Sequence, residues 1–257
     1  MKYPRTSSTT EASVREIVSR IDGWLTPAQA AILAELAARI PDGSHIVEFG
    51  SFLGRSTLSL LSGAPEVTSL YAVDPFAGDE VGPRPAKSTG VRIDSEAVHR
   101  QFHRNLAFAD AEGRVTHLRM RSAGTPAEVL ATAGLFFVDG SHRFRDATAD
   151  LRLVCRHLRP GGWLAIHDAF YSVEVTLAIM IVLVRRPDFV YRGRSGSLAV
   201  YQRTGPAPGR GVRTGGANQL VQLAELVTLC GVCVRKSWLL MTTATGRVSD
   251  IGARWPH

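Results

Sequence analysis

Cysteine is scarce in this 257-residue chain, with only Cys155, Cys230 and Cys233. That is too few for a disulfide scaffold at this length. Long apolar runs are missing too. Val173 to Val184, and Leu220 to Val234 with its interruptions at Gln222 and Glu225, fall short of the ~20 residues that span a bilayer. The first twenty residues hold no continuous apolar core and do not read as a secretory signal. These absences predict a reducing, cytoplasmic setting and no membrane partner. There is no internal repeat, and no dense basic run interleaved with aromatics. The formal net charge is +7; residues 204–257 carry six Lys/Arg against two acids, so the tail holds +4 and residues 1–203 the remaining +3. A surplus spread this thinly attracts anions in general, and a nucleic-acid partner is not expected.

What is present is a globular composition, 45% hydrophobic and 21% charged. Thr26-Pro27 opens a helical pattern that runs to Ile40, with Thr as the cap and Pro at the first helical position. Short apolar runs then alternate with helical stretches. Strands are expected at His45 to Phe49, Leu70 to Val73, Val115 to Met120, Gly134 to Val138 and Gly162 to Ile166. Phe189 to Arg192 and Ser197 to Gln202 flank Gly193–Gly196 as a hairpin. The alternation predicts an α/β fold: a doubly wound, Rossmann-like, mostly parallel sheet of seven strands, closed by a terminal antiparallel hairpin. Such sheets bind ligands beyond the carboxyl ends of their strands.

The expected layout is an N-terminal extension (1–25), a main domain (26–203), a Gly/Pro-rich linker (204–217) and a helical appendage (218–257). The appendage carries the stripe Leu220, Leu223, Val227, Cys230 and Val234, a candidate homodimer contact. Residues 77–93 are Gly/Pro-rich without apolar periodicity, which marks a functional loop or a disordered one.

The most informative segment is His45-Ile-Val-Glu-Phe-Gly-Ser-Phe-Leu-Gly-Arg-Ser-Thr57. A strand runs into Glu48 and a turn bearing Gly50 and Gly54, and a helix follows. Glycine there allows a tight turn and a close approach of the backbone, and the helix start offers free N–H groups to an anionic group. The E-x-G-x-x-x-G spacing departs from the G-x-G-x-x-G of pyrophosphate cofactors. Asp74 ends the next strand, where a carboxylate can accept both hydroxyls of an adenosine ribose. Taken separately, the first segment can be a structural turn and Asp74-Pro75 a turn initiator; together they favour an adenosyl ligand.

With those residues in view, VEFGSFLGRST, LYAVDPF, LFFVDGSHRFRDATADL and LRPGGWLAIHDAF, in this order, resemble the class I S-adenosylmethionine methyltransferases. Within that class the chain looks most like small-molecule O-methyltransferases acting on sugars and other hydroxylated natural products. The resemblance covers roughly residues 40–203. It implies that Glu48 to Gly54, with Ser51 and Ser56, face the methionine part of the cofactor. Asp74 would bind the ribose, and Phe76 and Ser122 would lie near the adenine.

Asp139 ends the fourth strand and His167-Asp168 the fifth, so their side chains should meet where the sulfonium methyl points. Transfer to a hydroxyl needs positioning and either a base or a metal. In relatives, acids at the places of Asp139 and Asp168 hold a divalent cation. His167 stands where several of them carry another acid, which argues against Mg²⁺ or toward Mn²⁺. Asp139, His167 and Asp168 are thus the expected metal set. His142, with Asp139 and His167, is the candidate base, its ordinary pKa near 6.5 being suited to proton abstraction. The competing reading has Ser141-His142 capping the next helix and pairing with Asp146.

An RNA or protein acceptor on the same fold and a non-catalytic binding protein stay open as alternatives. The glycine spacing argues against a dinucleotide oxidoreductase, and the Asn/Asp-Pro-Pro-aromatic motif of base-amine methyltransferases is absent after the fourth strand. Cys230-Gly-Val-Cys233 lies on an apolar stripe and reads as buried structural cysteines. His99 and His103, at i,i+4 spacing without a third ligand, read as surface residues or as part of a substrate lid.

Overall fold

The computed structural model describes residues 8–76, 94–184 and 186–205. The 77–93 loop, most of the linker, and the appendage with Cys230 and Cys233 lie outside them.

Seven strands form one sheet: β1 (His45–Phe49), β2 (Leu70–Val73), β3 (Val115–Leu118), β4 (Ala133–Val138), β5 (Trp163–Ile166), β6 (Phe189–Ser195) and β7 (Leu198–Arg203). Their order is β3-β2-β1-β4-β5-β7-β6. The first five pair in parallel, and β7 runs antiparallel to both β5 and β6. The sheet is therefore doubly wound and mostly parallel, closed by an antiparallel hairpin. The chain leaves β1 toward β2 on one side and returns on the other through β4. This reversal opens a crevice at the carboxyl ends of β1 and β4.

The helices are α1 (Ser8–Arg20), α2 (Pro27–Ala37), α3 (Arg55–Gly63), α4 (Ser95–Phe108), α5 (Ala127–Ala131), α6 (Phe144–His157) and α7 (Val173–Val182). Strand side chains alternate between the two faces. Ile46, Leu70, Ala72, Leu135 and Phe137 join Leu33, Leu36, Leu60, Phe102 and Leu106 in one core. Val47, Phe49, Val73, Phe136 and Val138 join Leu130, Leu151, Val154 and Ile179 in the other. Both faces are covered, so β4 reads as the unbroken apolar run AGLFFV, buried at every position.

Thr26 caps α2 in a full capping box, its hydroxyl accepting from Gln29 N–H while the Gln29 side chain accepts from Thr26 N–H at 2.9 Å. Several expectations shift. Strand β3 stops at Leu118 rather than Met120, because Met120 N–H turns back to Leu118 O at 2.8 Å. The hairpin turn is two residues, Gly196-Ser197, with Gly196 at a φ of +55°; the Gly193 region holds a bulge inside the pairing. Helix α7 buries only Val175, Thr176, Ala178 and Ile179, leaving Val173, Leu177 and Ile181 exposed. Within the stretch set apart as an extension, Val14, Ile21 and Leu25 are buried in the common core. Arg55 fastens that stretch by donating to the carbonyls of Val18, Ile21, Gly23 and Leu25 at 2.5–2.7 Å.

Candidate active site

The turn after β1 is built around two carboxylates. Glu48 points to the α3 side, fully buried, and its Oε2 accepts from Ser51 Oγ at 3.0 Å and Thr57 Oγ1 at 2.5 Å. Burial pushes its pKa up to about 7, against the hydrogen bonds of Ser56, Thr57 and Ser51. Its Oε1 is buried with no hydrogen-bond partner among the described residues. Asp74, at the end of β2, accepts from Ser51 N–H (2.8 Å) and Phe52 N–H (3.1 Å) through Oδ2, and from Phe76 N–H (2.7 Å) through Oδ1. Three donors leave capacity on this carboxylate for a further one. Asp74 is therefore also the post on which the glycine turn hangs.

Gly50 has a φ of +88°, and a Cβ there would lie 2.3 Å from the Asp139 carbonyl oxygen. The glycine lets the β1 turn press against the end of β4, where Asp139 N–H donates to Phe49 O at 2.8 Å. Its close approach is to backbone. Gly54, also at positive φ, precedes α3 and packs on Phe102.

A cavity of about 210 Å³ opens at this point of the sheet. Gly50–Leu53, Ser56, Asp74–Phe76, Ser122 and Asp139–Ser141 border it, as do Trp24, Ser95, Val98 and Asp150. Glu48 lies beneath the turn rather than in the wall. Ser122 Oγ donates to the buried Asp150. Phe76 borders the cavity, but its ring also stacks with Phe102 and with His99 and His117. Among the described residues, two of the five non-glycine positions at positive φ, Phe52 and Phe76, border this cavity. Held in sparsely populated backbone regions, such residues cluster at functional sites.

Beyond the cavity, the ends of β4 and β5 bring together Asp139, His142, His167 and Asp168. His142 Nε2 lies 3.2 Å from Asp168 Oδ2 and 3.7 Å from Asp139 Oδ1, yet it makes no directed hydrogen bond among the described residues. His167 is almost fully buried. Its Nδ1 lies 3.2 Å from Asp139 Oδ1 and its Nε2 3.3 Å from Ser197 Oγ. Ser197 Oγ in turn accepts from Gln29 Nε2 at 3.0 Å.

Burial pulls both imidazoles toward neutrality, but the carboxylates outweigh it. Asp139 and Asp168 hold His167 up to about 9, and they raise His142 above its ordinary value. Burial would raise Asp139, yet the charge of His167 and the contacts of both imidazoles hold it well below the usual carboxylate range.

The expected metal set changes accordingly. The ligand atoms that converge within 4.8 Å of one another belong to Asp139, His142 and Asp168, with His142 in the place assigned to His167. His167 has both ring nitrogens engaged beneath them. The capping alternative resolves as well: Ser141 Oγ donates to Asp146 Oδ2 at 2.8 Å, whereas His142 turns to the aspartates. Thr57, Asp150, Trp24 and the Gln29–Ser197 pair were missed by sequence reasoning. Thr57 and Asp150 lie inside the quoted motifs; Trp24 and the Gln29–Ser197 pair had no signal.

Residues 47–169, which contain every strand-end residue of this site, match the family described as a methyltransferase domain. Residues 47–169 thus carry the sequence pattern of a methyltransferase domain. The chain is similar in fold to a protein from Corynebacterium glutamicum (18% identity, TM-score 0.56). It is similar also to the O-methyltransferase TomG from Streptomyces achromogenes, solved with S-adenosylmethionine (15% identity, TM-score 0.52). A third is the Bacillus cereus O-methyltransferase solved with S-adenosylhomocysteine (14%, TM-score 0.51). Each comparison covers 78% of this chain and 92% of the other. No curated protein matches this chain in sequence. Among its described residues no helix is long and apolar enough to cross a membrane.

The site fits a sulfonium cofactor. Asp74, Asp139 and Asp150 in the wall suit a ligand with net positive charge, and the unpartnered Glu48 Oε1 lies directly under the turn.

Proposed function

We propose that this methyltransferase moves a methyl group from S-adenosylmethionine to a hydroxyl of a small, polyhydroxylated acceptor. The observation that carries the reading is the meeting of His142, Asp139 and Asp168 at the rim of the cavity beside the glycine turn. O-methyltransferases among the similar folds support it. The cofactor, when bound, supplies a methyl group on a cationic sulfur, open to in-line attack by oxygen. Ser51 and Ser56, with Gly50 and Gly54, would border its methionine part above Glu48; Asp74 would accept a ribose hydroxyl, and Phe76 and Ser122 would flank the adenine.

His142 Nε2 takes the proton of the acceptor hydroxyl as the oxygen–methyl bond forms and the sulfur–methyl bond breaks. Asp139 and Asp168 stabilise the resulting imidazolium, and His167 holds Asp139 in place. Water exclusion falls to Trp24 and Phe52, whose rings meet 5.2 Å apart at the cavity edge.

A second reading is favoured by the undirected placement of His142 Nε2 between two carboxylates. There Asp139, His142 and Asp168 would hold a divalent cation, Mn²⁺ suiting the mixed oxygen and nitrogen set better than Mg²⁺. Its chemistry would be to lower the pKa of a neighbouring hydroxyl.

We place the protein in the cytoplasm, in keeping with the buried thiol of Cys155, and infer self-association through residues 218–257. An unchanged oligomeric state in solution on removing residues 204–257 would end the latter idea.

The test is calorimetric titration with S-adenosylhomocysteine, for the wild type and Asp74→Ala, in chelator and then with Mn²⁺ or Mg²⁺. Micromolar binding, lost in the variant, supports the reading. Absence of binding in every condition overturns it. Acceptor turnover that survives chelator favours His142 as base, and turnover restored only by Mn²⁺ favours the cation.

A further inference from the structure

A second convergence of ligand-bearing side chains lies on the far side of Asp74 and Phe76 from the transfer site. His99 and His103 stand one turn apart on the same face of α4, and their Nε2 atoms are 3.1 Å apart. The third member comes from another element. His117 lies on the edge strand β3, in register with Ala72 of β2, its ring centroid 5.0 Å from His99 and 5.4 Å from His103. One nitrogen from each of the three falls within 4.8 Å of the others.

In a tetrahedral zinc site, metal–nitrogen bonds of ~2.0–2.1 Å set neighbouring nitrogens ~3.3 Å apart. The His99–His103 separation is already close to that, and His117, whose Nε2 lies 3.3 Å from the Asp74 carbonyl oxygen, supplies the third ring. Phe76 and Phe102 wedge the rings: Phe102 touches both His103 and His117, and Phe76 touches His99 and His117. Such packing fixes ring orientation, as a ligand set requires.

Aromatic stacking alone does not explain why the rings are imidazoles with converging nitrogens, since phenyl rings would fill the same space without polar atoms to desolvate. Glu96 is drawn off by Arg119 and comes no closer than 4.0 Å to His99 Nδ1. Among the described residues the set is therefore three nitrogens and no carboxylate. That is a borderline transition-metal preference, unlike the oxygen-rich rim of the transfer site.

We propose that His99, His103 and His117 bind a Zn²⁺ ion that ties α4 to the edge of the sheet and braces the Phe76 wall of the cofactor cavity. Three protein ligands leave the fourth position to water. Because Phe76, Ser95 and Val98 all border the cavity, the ion and the cofactor pocket share a wall.

The experiment strips metal from the full chain and titrates it with Zn²⁺ and with Co²⁺, the latter read by its visible ligand-field bands. Expected is one Zn²⁺ equivalent that persists in Asp139→Asn/Asp168→Asn but weakens at least 100-fold in His103→Asn and in His117→Gln. Expected too is a rise in Tm with Zn²⁺ for the wild type and none for His103→Asn. Should His117→Gln fail to fold, His103→Asn on the helix face decides alone. Binding unchanged in His103→Asn, binding lost only in the double aspartate variant, or no stoichiometric binding by the wild type would each overturn the proposal.

Discussion

His167 Nδ1 sits 3.2 Å from Asp139 Oδ1, while the opposite nitrogen of the same ring faces Ser197 Oγ at 3.3 Å. Ser197 is held by Gln29, whose carbonyl oxygen caps the start of α2. A line of side chains thus runs from a helix cap through the hairpin turn to the candidate transfer site. His167→Gln or Ser197→Ala should lower kcat roughly 10–100-fold, the range for groups that orient ligating or catalytic side chains. Affinity for S-adenosylhomocysteine should stay within a few-fold. A purely structural role would lower Tm and leave kcat of the folded protein unchanged, so the split between the two readouts decides.

His142 is the residue expected to take the acceptor proton. Removing it as His142→Asn should cost about 10²–10⁴ in kcat. Its neighbours raise its pKa, so at low pH it is protonated and cannot act as a base. The rate should accordingly rise with pH through a midpoint above 6.5, and His142→Asn should flatten that limb. A wild-type midpoint at or below 6.5 would exclude His142 as the group being titrated.

Buried Glu48 should leave its mark on stability. Its pKa is about 7 folded against an ordinary 4.5, so the folded state holds the proton more tightly. This contribution is fully present below about pH 4.5 and is lost as pH rises through 7, on the order of 3 kcal/mol from a shift of this size. Glu48→Gln should remove that slope. Urea unfolding at intervals from pH 5 to 8 checks it; parallel curves for the two proteins would refute the assignment.

Gly50→Ala should destabilise the fold by more than about 3 kcal/mol, because it combines a left-handed φ with a Cβ that meets the Asp139 backbone at 2.3 Å. Gly43→Ala is the control. It shares a positive φ but has nothing within 4 Å of the new Cβ, so its cost should be about 1 kcal/mol. Equal losses in Tm for the two would mean that the contact with Asp139 is relieved by a backbone shift.

Much of the frame was legible because its signals are local. Thr26-Pro27, the Gly50 turn and the apolar run of β4 each carry their instruction within a few residues, and all lie where periodicity placed them. The hairpin turn was expected over Gly193–Gly196 but is confined to Gly196-Ser197, because Gly193 and Gly196 look equivalent in sequence. Only the cross-strand register shows that Gly193 stays within the ladder, facing Val200. Across α7 the residues are mostly apolar, and nothing local distinguishes its buried face from the exposed Val173, Leu177 and Ile181.

The amino-acid sequence by itself determined the order of strands and helices, the glycine turn with its two carboxylates, and the positions of Asp139, His142, His167 and Asp168 at strand ends. Periodicity and turn chemistry act over neighbouring residues, so they survive in a linear reading. Tertiary structure decided which partners those residues meet. It turned His142 to Asp168 and engaged both nitrogens of His167. It also set His117 beside His99 and His103. Contacts across 30 or 168 residues, such as His167–Ser197 and Gln29–Ser197, depend on how the sheet brings distant strands and helices together, and no local pattern encodes that.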